Sequence, residues 1–139
     1  MSFHRKLSLM ALSTAAVALL AATPADARVD GDTITLGAAL SLTGKYTTAG
    51  NHTRKGYELA RDKINAKGGI KVGGKMYKIK LKFYDDESNP ARGAQLAERL
   101  IKQDGVKFML GPYSSGLTNA IAPVTEKHKI PMVEGNGAS

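Results

Sequence analysis

The chain has 139 residues, with 20 Lys+Arg against 12 Asp+Glu, 42% hydrophobic and 23% charged residues, and neither Cys nor Trp. That length holds one domain, and the aliphatic content excludes disorder as the main state. Without cysteine there is no disulfide framework, thiolate metal site or cysteine nucleophile, and His4, His52 and His128 match no metal-ligand spacing, so no cofactor or metal is expected.

The N-terminus reads as an address. Arg5 and Lys6 precede an apolar run over residues 7–22, too short for a bilayer span of about 20 residues. Pro24 and then Ala25-Asp26-Ala27 follow as a small-residue cleavage signal. Charged start, short apolar middle and small exit make residues 1–27 a secretory signal peptide, cut after Ala27. The mature chain, residues 28–139, is then exported and spans no membrane. It stays basic, with Lys67, Lys71, Lys75, Lys78, Lys80 and Lys82 clustered and only Tyr77 interleaved to stack a base. That pattern suits a solvated face, and no nucleic-acid partner is expected.

Residues 33–40 form a first strand that breaks at Thr43-Gly44. Over residues 51–66, Tyr57, Ala60 and Ile64 recur at helical spacing, Arg54 and Glu58 pair on the outer face, and Lys67-Gly68-Gly69 ends the helix. Gly73-Gly74 makes a turn. Residues 77–84 alternate, with Ile79, Leu81 and Phe83 on one side and Lys78, Lys80 and Lys82 on the other, a half-exposed strand expected at a sheet edge. Asn89-Pro90 caps a helix reaching about Gln103, with Ala94, Leu96, Ala97, Leu100 and Ile101 inward. Residues 106–110 are a buried strand. A further helix runs over residues 116–127, where Pro123 predicts a kink or an irregular first half. Residues 130–133 are a last strand.

Alternating strands and helices specify an α/β fold, an open parallel sheet with helices on both faces. The last strand has no helix after it, so the domain is expected to be incomplete. Its exposed apolar edge should promote aggregation.

Ligands bind such sheets beyond the carboxyl ends of the strands. Three such ends are rich in small and hydroxyl residues: Ser41 to Thr48 with Tyr46, Gly111 to Gly116 with Ser114 and Ser115, and Gly135 to Ser139. Ser114-Ser115 before a helix fits either an anion site or an ordinary cap. Enzyme motifs are missing: Gly135-x-Gly137 lacks a third glycine, Ser114 lacks a nucleophile elbow, and there is no phosphate-binding loop. Asp85-Asp86-Glu87 reads as a solvated strand end whose acids favour the following helix dipole.

The segments Gly37-Ala38-Ala39-Leu40-Ser41-Leu42-Thr43-Gly44, Gly56-Tyr57-Glu58-Leu59-Ala60 and Ile64-Asn65-Ala66-Lys67-Gly68-Gly69-Ile70 resemble the opening of periplasmic leucine/isoleucine/valine-binding-type receptors. Tyr84 to Pro90, Gly111 to Ser115 and Ile130 to Val133 continue the likeness in order. The resemblance implies a two-lobe α/β receptor in the periplasm. It would deliver amino acids, amides or small carboxylates to the membrane subunits of an ABC importer, and residues 28–139 would be part of its N-terminal lobe. It also implies that Ser114, with Ser115 beside it, binds a ligand carboxylate. Asn136, Gly137, Ala138 and Ser139 would supply a carbonyl and a hydroxyl, and Tyr46 and Ala49 would touch the ligand side chain. A sensing module for a signalling partner, or a gene remnant, would look the same over these residues. A clamp with one jaw should bind weakly or not at all.

Overall fold

A computed structural model describes residues 29–137. The signal peptide and its cleavage site, and Ala138 and Ser139, lie outside the described residues. Six strands and three helices follow one another as β1 (Val29–Asp30), β2 (Thr33–Leu40), α1 (Thr47–Ala66), β3 (Ile70–Val72), β4 (Lys75–Asp85), α2 (Pro90–Lys102), β5 (Phe108–Leu110), α3 (Ser115–Lys127) and β6 (Met132–Val133). The strand order is β3-β4-β2-β5-β6, with β1 antiparallel on β2. β2, β4, β5 and β6 run parallel, so the expected α/β architecture holds.

β2 sits centrally because it is the strand buried on both faces. Ala38, Ala39 and Leu40 are fully buried. On one face the small residues Gly37 and Ala39 let α2 pack close, with α3 against α2, and Ala39, Ala97, Leu100, Val106, Met109 and Ile121 form the core. On the other face α1 lies over β2 and β4, beside Leu36, Ile79 and Leu81. Burying a side chain such as Leu100 or Met109 stabilises the fold by roughly 1.5–3 kcal/mol.

Two expectations need correction. β4 is not a simple edge strand. The chain leaving α1 doubles back as β3, which pairs Ile70 with Tyr77 and Val72 with Lys75. Where β3 ends, Asn65 takes over: its Oδ1 accepts from Ile79 N and its Nδ2 donates to Ile79 O, each at 2.8 Å. A side-chain amide thus satisfies backbone groups that a neighbouring strand would otherwise meet. Nor is the first half of α3 irregular, since the helix runs from Ser115 through Pro123 to Lys127. Pro123 and Asn119, whose carbonyl loses its partner, both lie on the exposed side, while Leu117 and Ile121 hold the inner face in the core.

The Asn89 cap forms as expected, its Oδ1 accepting from Arg92 N at 3.1 Å with Pro90 at the first helical position.

Candidate functional site

The parallel strands β2, β5 and β6 deliver their following loops to one end of the sheet, and a cleft of about 530 Å³ opens there. Ala49, His52, Thr53, Gly56 and Tyr57 of α1 form one wall, and Tyr113 and Asn136 come from the loops after β5 and β6.

Ser114, next to the lining residue Tyr113 in the chain, caps α3. Its backbone has φ 88°, unusual for a residue with a Cβ, while its Oγ accepts from Leu117 N at 3.4 Å. A non-glycine residue held in this region stores about 1–3 kcal/mol of strain, repaid by the packing around it. Ser115 follows as the first residue of α3, so both hydroxyls stand at the positive end of the helix dipole. One residue earlier, Tyr113 meets Tyr46 edge-to-face with ring centroids 5.6 Å apart, and the Lys45 ammonium lies 4.5 Å over the Tyr46 ring.

Of the residues singled out from sequence, Ala49 and Asn136 line the cleft, and Tyr46 joins it through Tyr113. Ser114 and Ser115 stand next to Tyr113 in the chain but are not lining residues. Gly137 is not a lining residue, and its N donates to the Glu134 carboxylate. His52, Thr53, Gly56 and Tyr57 are lining residues that sequence reasoning missed, and Tyr113 lies in the Gly111 to Gly116 loop that it flagged without choosing this residue. The helical spacing of residues 49, 52, 53 and 56 put them on one face of α1, a signal that was available.

Behind the cleft a polar network joins four elements. Tyr57 Oη donates to Gly111 O at 2.8 Å. Gly111 N donates to Val133 O at 2.8 Å. Gly111 is a close approach: a Cβ there would overlap the Glu134 carboxylate. Glu134 Oε1 accepts from Asn136 N at 2.6 Å and Gly137 N at 2.8 Å, and Oε2 accepts from Thr118 Oγ1 at 2.7 Å. Asn136 Nδ2 then donates to Thr53 Oγ1 at 3.3 Å. Burial, followed by the charge of Glu134, pushes the Tyr57 phenol up to about 12, so it stays a neutral donor.

The acidic stretch after β4 is not the solvated strand end expected. Asp86 is fully buried, accepting from Ser41 Oγ and from Ser88 N. Asp85 Oδ1 accepts from the N–H groups of Leu42, Thr43 and Glu87, and its Oδ2 accepts from the Thr43 hydroxyl. Burial works against the Asp85 charge, yet these donors hold its carboxyl below the ordinary range. Both residues fasten the loop that carries Tyr46 to the sheet. Among the described residues no cluster of His, Asp or Glu has the makings of a metal site, and no helix is long and apolar enough to cross a membrane.

Residues 33–139 match the family model for periplasmic binding proteins. The chain is similar to the Leu/Ile/Val-binding protein BraC3 of Rhizobium johnstonii, 34% identical over 127 residues, covering 91% of this chain and 32% of that protein. It also resembles the crystal structure of the branched-chain amino acid transporter substrate binding protein LivJ from Streptococcus pneumoniae in complex with isoleucine. There the TM-score is 0.71 and the identity 31%, over 77% of this chain and 30% of that one. A solute binding protein of an ABC transporter from R. palustris in complex with benzoate matches with TM-score 0.62 and 28% identity, over 75% of this chain and 27% of that one. The chain spans 26% to 32% of the length of the first curated relatives it matches.

Proposed function

Because this chain belongs to the periplasmic binding protein family, we propose that it forms part of the N-terminal lobe of an extracytoplasmic solute receptor, one that delivers amino acids or related small carboxylates and amides to an ABC importer. The observation that carries the reading is Ser114, held at φ 88° where α3 begins, beside the Tyr46–Tyr113 pair and the open cleft. Strain of this kind persists where a site requires one geometry.

In this reading the Ser114 hydroxyl, Ser115 and the first N–H groups of α3 receive the ligand carboxylate, which the helix dipole favours. Asn136 and Gly137, with Ala138 and Ser139 after them, form the loop that receives the rest of the polar head. Tyr46 and Ala49 meet the side chain. No group here is set up to make or break a bond, so the site binds and releases. Residues 1–27 direct export to the periplasm and are removed after Ala27. A ligand held by two closing lobes loses most of its contacts when one is missing, so the 139-residue chain alone binds weakly or not at all.

The test is the intact mass of the gene's product in a periplasmic extract, followed by calorimetry of that product with leucine, isoleucine, valine and benzoate. A mass well above that of 139 residues, micromolar binding of at least one probe, and a loss of about tenfold or more in Ser114→Ala, as one charge-assisted hydrogen bond would give, are expected. A large product that binds none of them overturns the reading.

A further inference from the structure

We propose that Glu134 is a specificity-determining residue of this cleft. It anchors the wall that carries Asn136 and sets a fixed negative charge behind it, so the site favours a zwitterionic ligand over one whose only charge is a carboxylate. The inference rests on the binding function proposed above and assigns a role to a residue outside the expected contact set.

The argument begins with placement. Glu134 follows β6 directly, and its carboxylate turns back over Gly111, where the absence of a side chain leaves room for it. Oε1 gathers the N–H groups of Asn136 and Gly137, which fixes the loop, and Oε2 takes the Thr118 hydroxyl. Asn136 then spans to Thr53, so the cleft wall is tied on both sides. The three partners of Glu134 are neutral, and among the described residues no ion pair involves it. Its charge is held by dipoles and is not cancelled by a cation. The charge reaches the cleft, since it contributes to the raised titration of Tyr57, a lining residue.

Charge geometry supplies the specificity. The start of α3 at Ser114 offers donors and a positive dipole end. Thr118, which holds Glu134, lies four residues and about one helical turn further on, about 6 Å along the axis. A carboxylate at the helix start therefore has an uncompensated anion one turn away. A ligand with an ammonium group beside its carboxylate complements both charges, whereas a simple carboxylate meets only repulsion from the second.

Leucine and 4-methylpentanoate, the same skeleton without the ammonium group, separate these cases. Calorimetry of the native gene product and its Glu134→Gln variant measures the preference between them. The Gln amide oxygen still accepts from Asn136 and Gly137, its Nε2 donates to Thr118 Oγ1, whose own hydrogen goes to Ser114 O, and the side chain keeps its size, so the charge is removed with the loop still held. The preference for leucine is expected to narrow about tenfold in Glu134→Gln, with melting temperature unchanged. Glu134→Ala, which frees the loop as well, loses affinity for both probes. An unchanged preference in Glu134→Gln overturns the role of Glu134 while leaving the binding function standing. A wild-type product that binds neither probe overturns both.

Discussion

Ser41 Oγ donates to Asp86 Oδ1 across 2.7 Å, and neither residue exposes any surface. This pair ties the carboxyl end of β2 to that of β4, and the loop bearing Tyr46 leaves from the tie. The other Asp86 oxygen, Oδ2, has no hydrogen-bond partner, so the carboxyl is buried with only part of its capacity met.

Burial raises the Asp86 pKa in the folded chain, against the smaller opposing effects of Ser41 and Ser88. Between the ordinary and the raised value the folded chain binds more protons than the unfolded one. Asp86 therefore contributes its stability fully below the ordinary value and loses it as pH rises through the raised one. Glu98 behaves oppositely, held down to about 2 by Lys102 and then His128, and its contribution is lost as pH falls. Asp86→Asn removes only the first effect. Measured by urea denaturation, the stability of the variant relative to wild type should improve from about pH 3 to about pH 7. A difference that stays level or declines over that range would contradict the assignment.

Two glycines of the β3–β4 region should respond differently to alanine. At Gly69, with φ 107°, a Cβ would overlap the Tyr77 carbonyl, whereas at Gly73, with φ 56°, nothing lies within 4 Å. Gly73→Ala should cost about 1–2 kcal/mol, the ordinary penalty of a left-handed backbone. Gly69→Ala adds a backbone clash and should cost on the order of 3 kcal/mol or more, with the hairpin displaced. Equal midpoint shifts in denaturant for the two variants would refute the steric difference.

Strain and capping oppose each other at Ser114. Ser114→Ala forfeits the bond to Leu117 N, about 1 kcal/mol, and keeps the strained backbone. Ser114→Gly forfeits the same bond but relieves the positive φ. The glycine variant should therefore melt above the alanine variant, while both lose ligand affinity together. If alanine is the more stable of the two, the backbone is not strained.

β6 pairs with β5, and among the described residues no strand lies on its far side, while Val133 is 67% exposed. Such an edge invites pairing with another chain. The 139-residue chain should self-associate on concentration, and Val133→Lys should suppress it, as followed by light scattering. A wild-type monomer that persists at high concentration would rule out this edge as the cause.

Much of the fold was legible because its causes are local. Alternation over residues 77–84, the helical spacing of Tyr57, Ala60 and Ile64, and the Asn89-Pro90 start depend on residues a few positions apart, which dihedral preferences and periodicity govern directly. The loops that gather at the cleft were legible too, since a parallel sheet sends the chain out at one end. The tertiary structure decided which side chains would meet there. Asn65 completes the edge of β4 from 14 residues away, Asp86 takes the Ser41 hydroxyl across 45, and Asn136 reaches Thr53 across 83. A run of three acids reads as solvated by composition, yet packing buried one of them and spent another on backbone donors. No local pattern marks Glu134, because its place depends on the empty space over Gly111 and on α3 lying alongside. Periodicity reports how each segment is buried, but the partner of a polar group is set by which segments packing brings into contact, and that is a property of the whole chain.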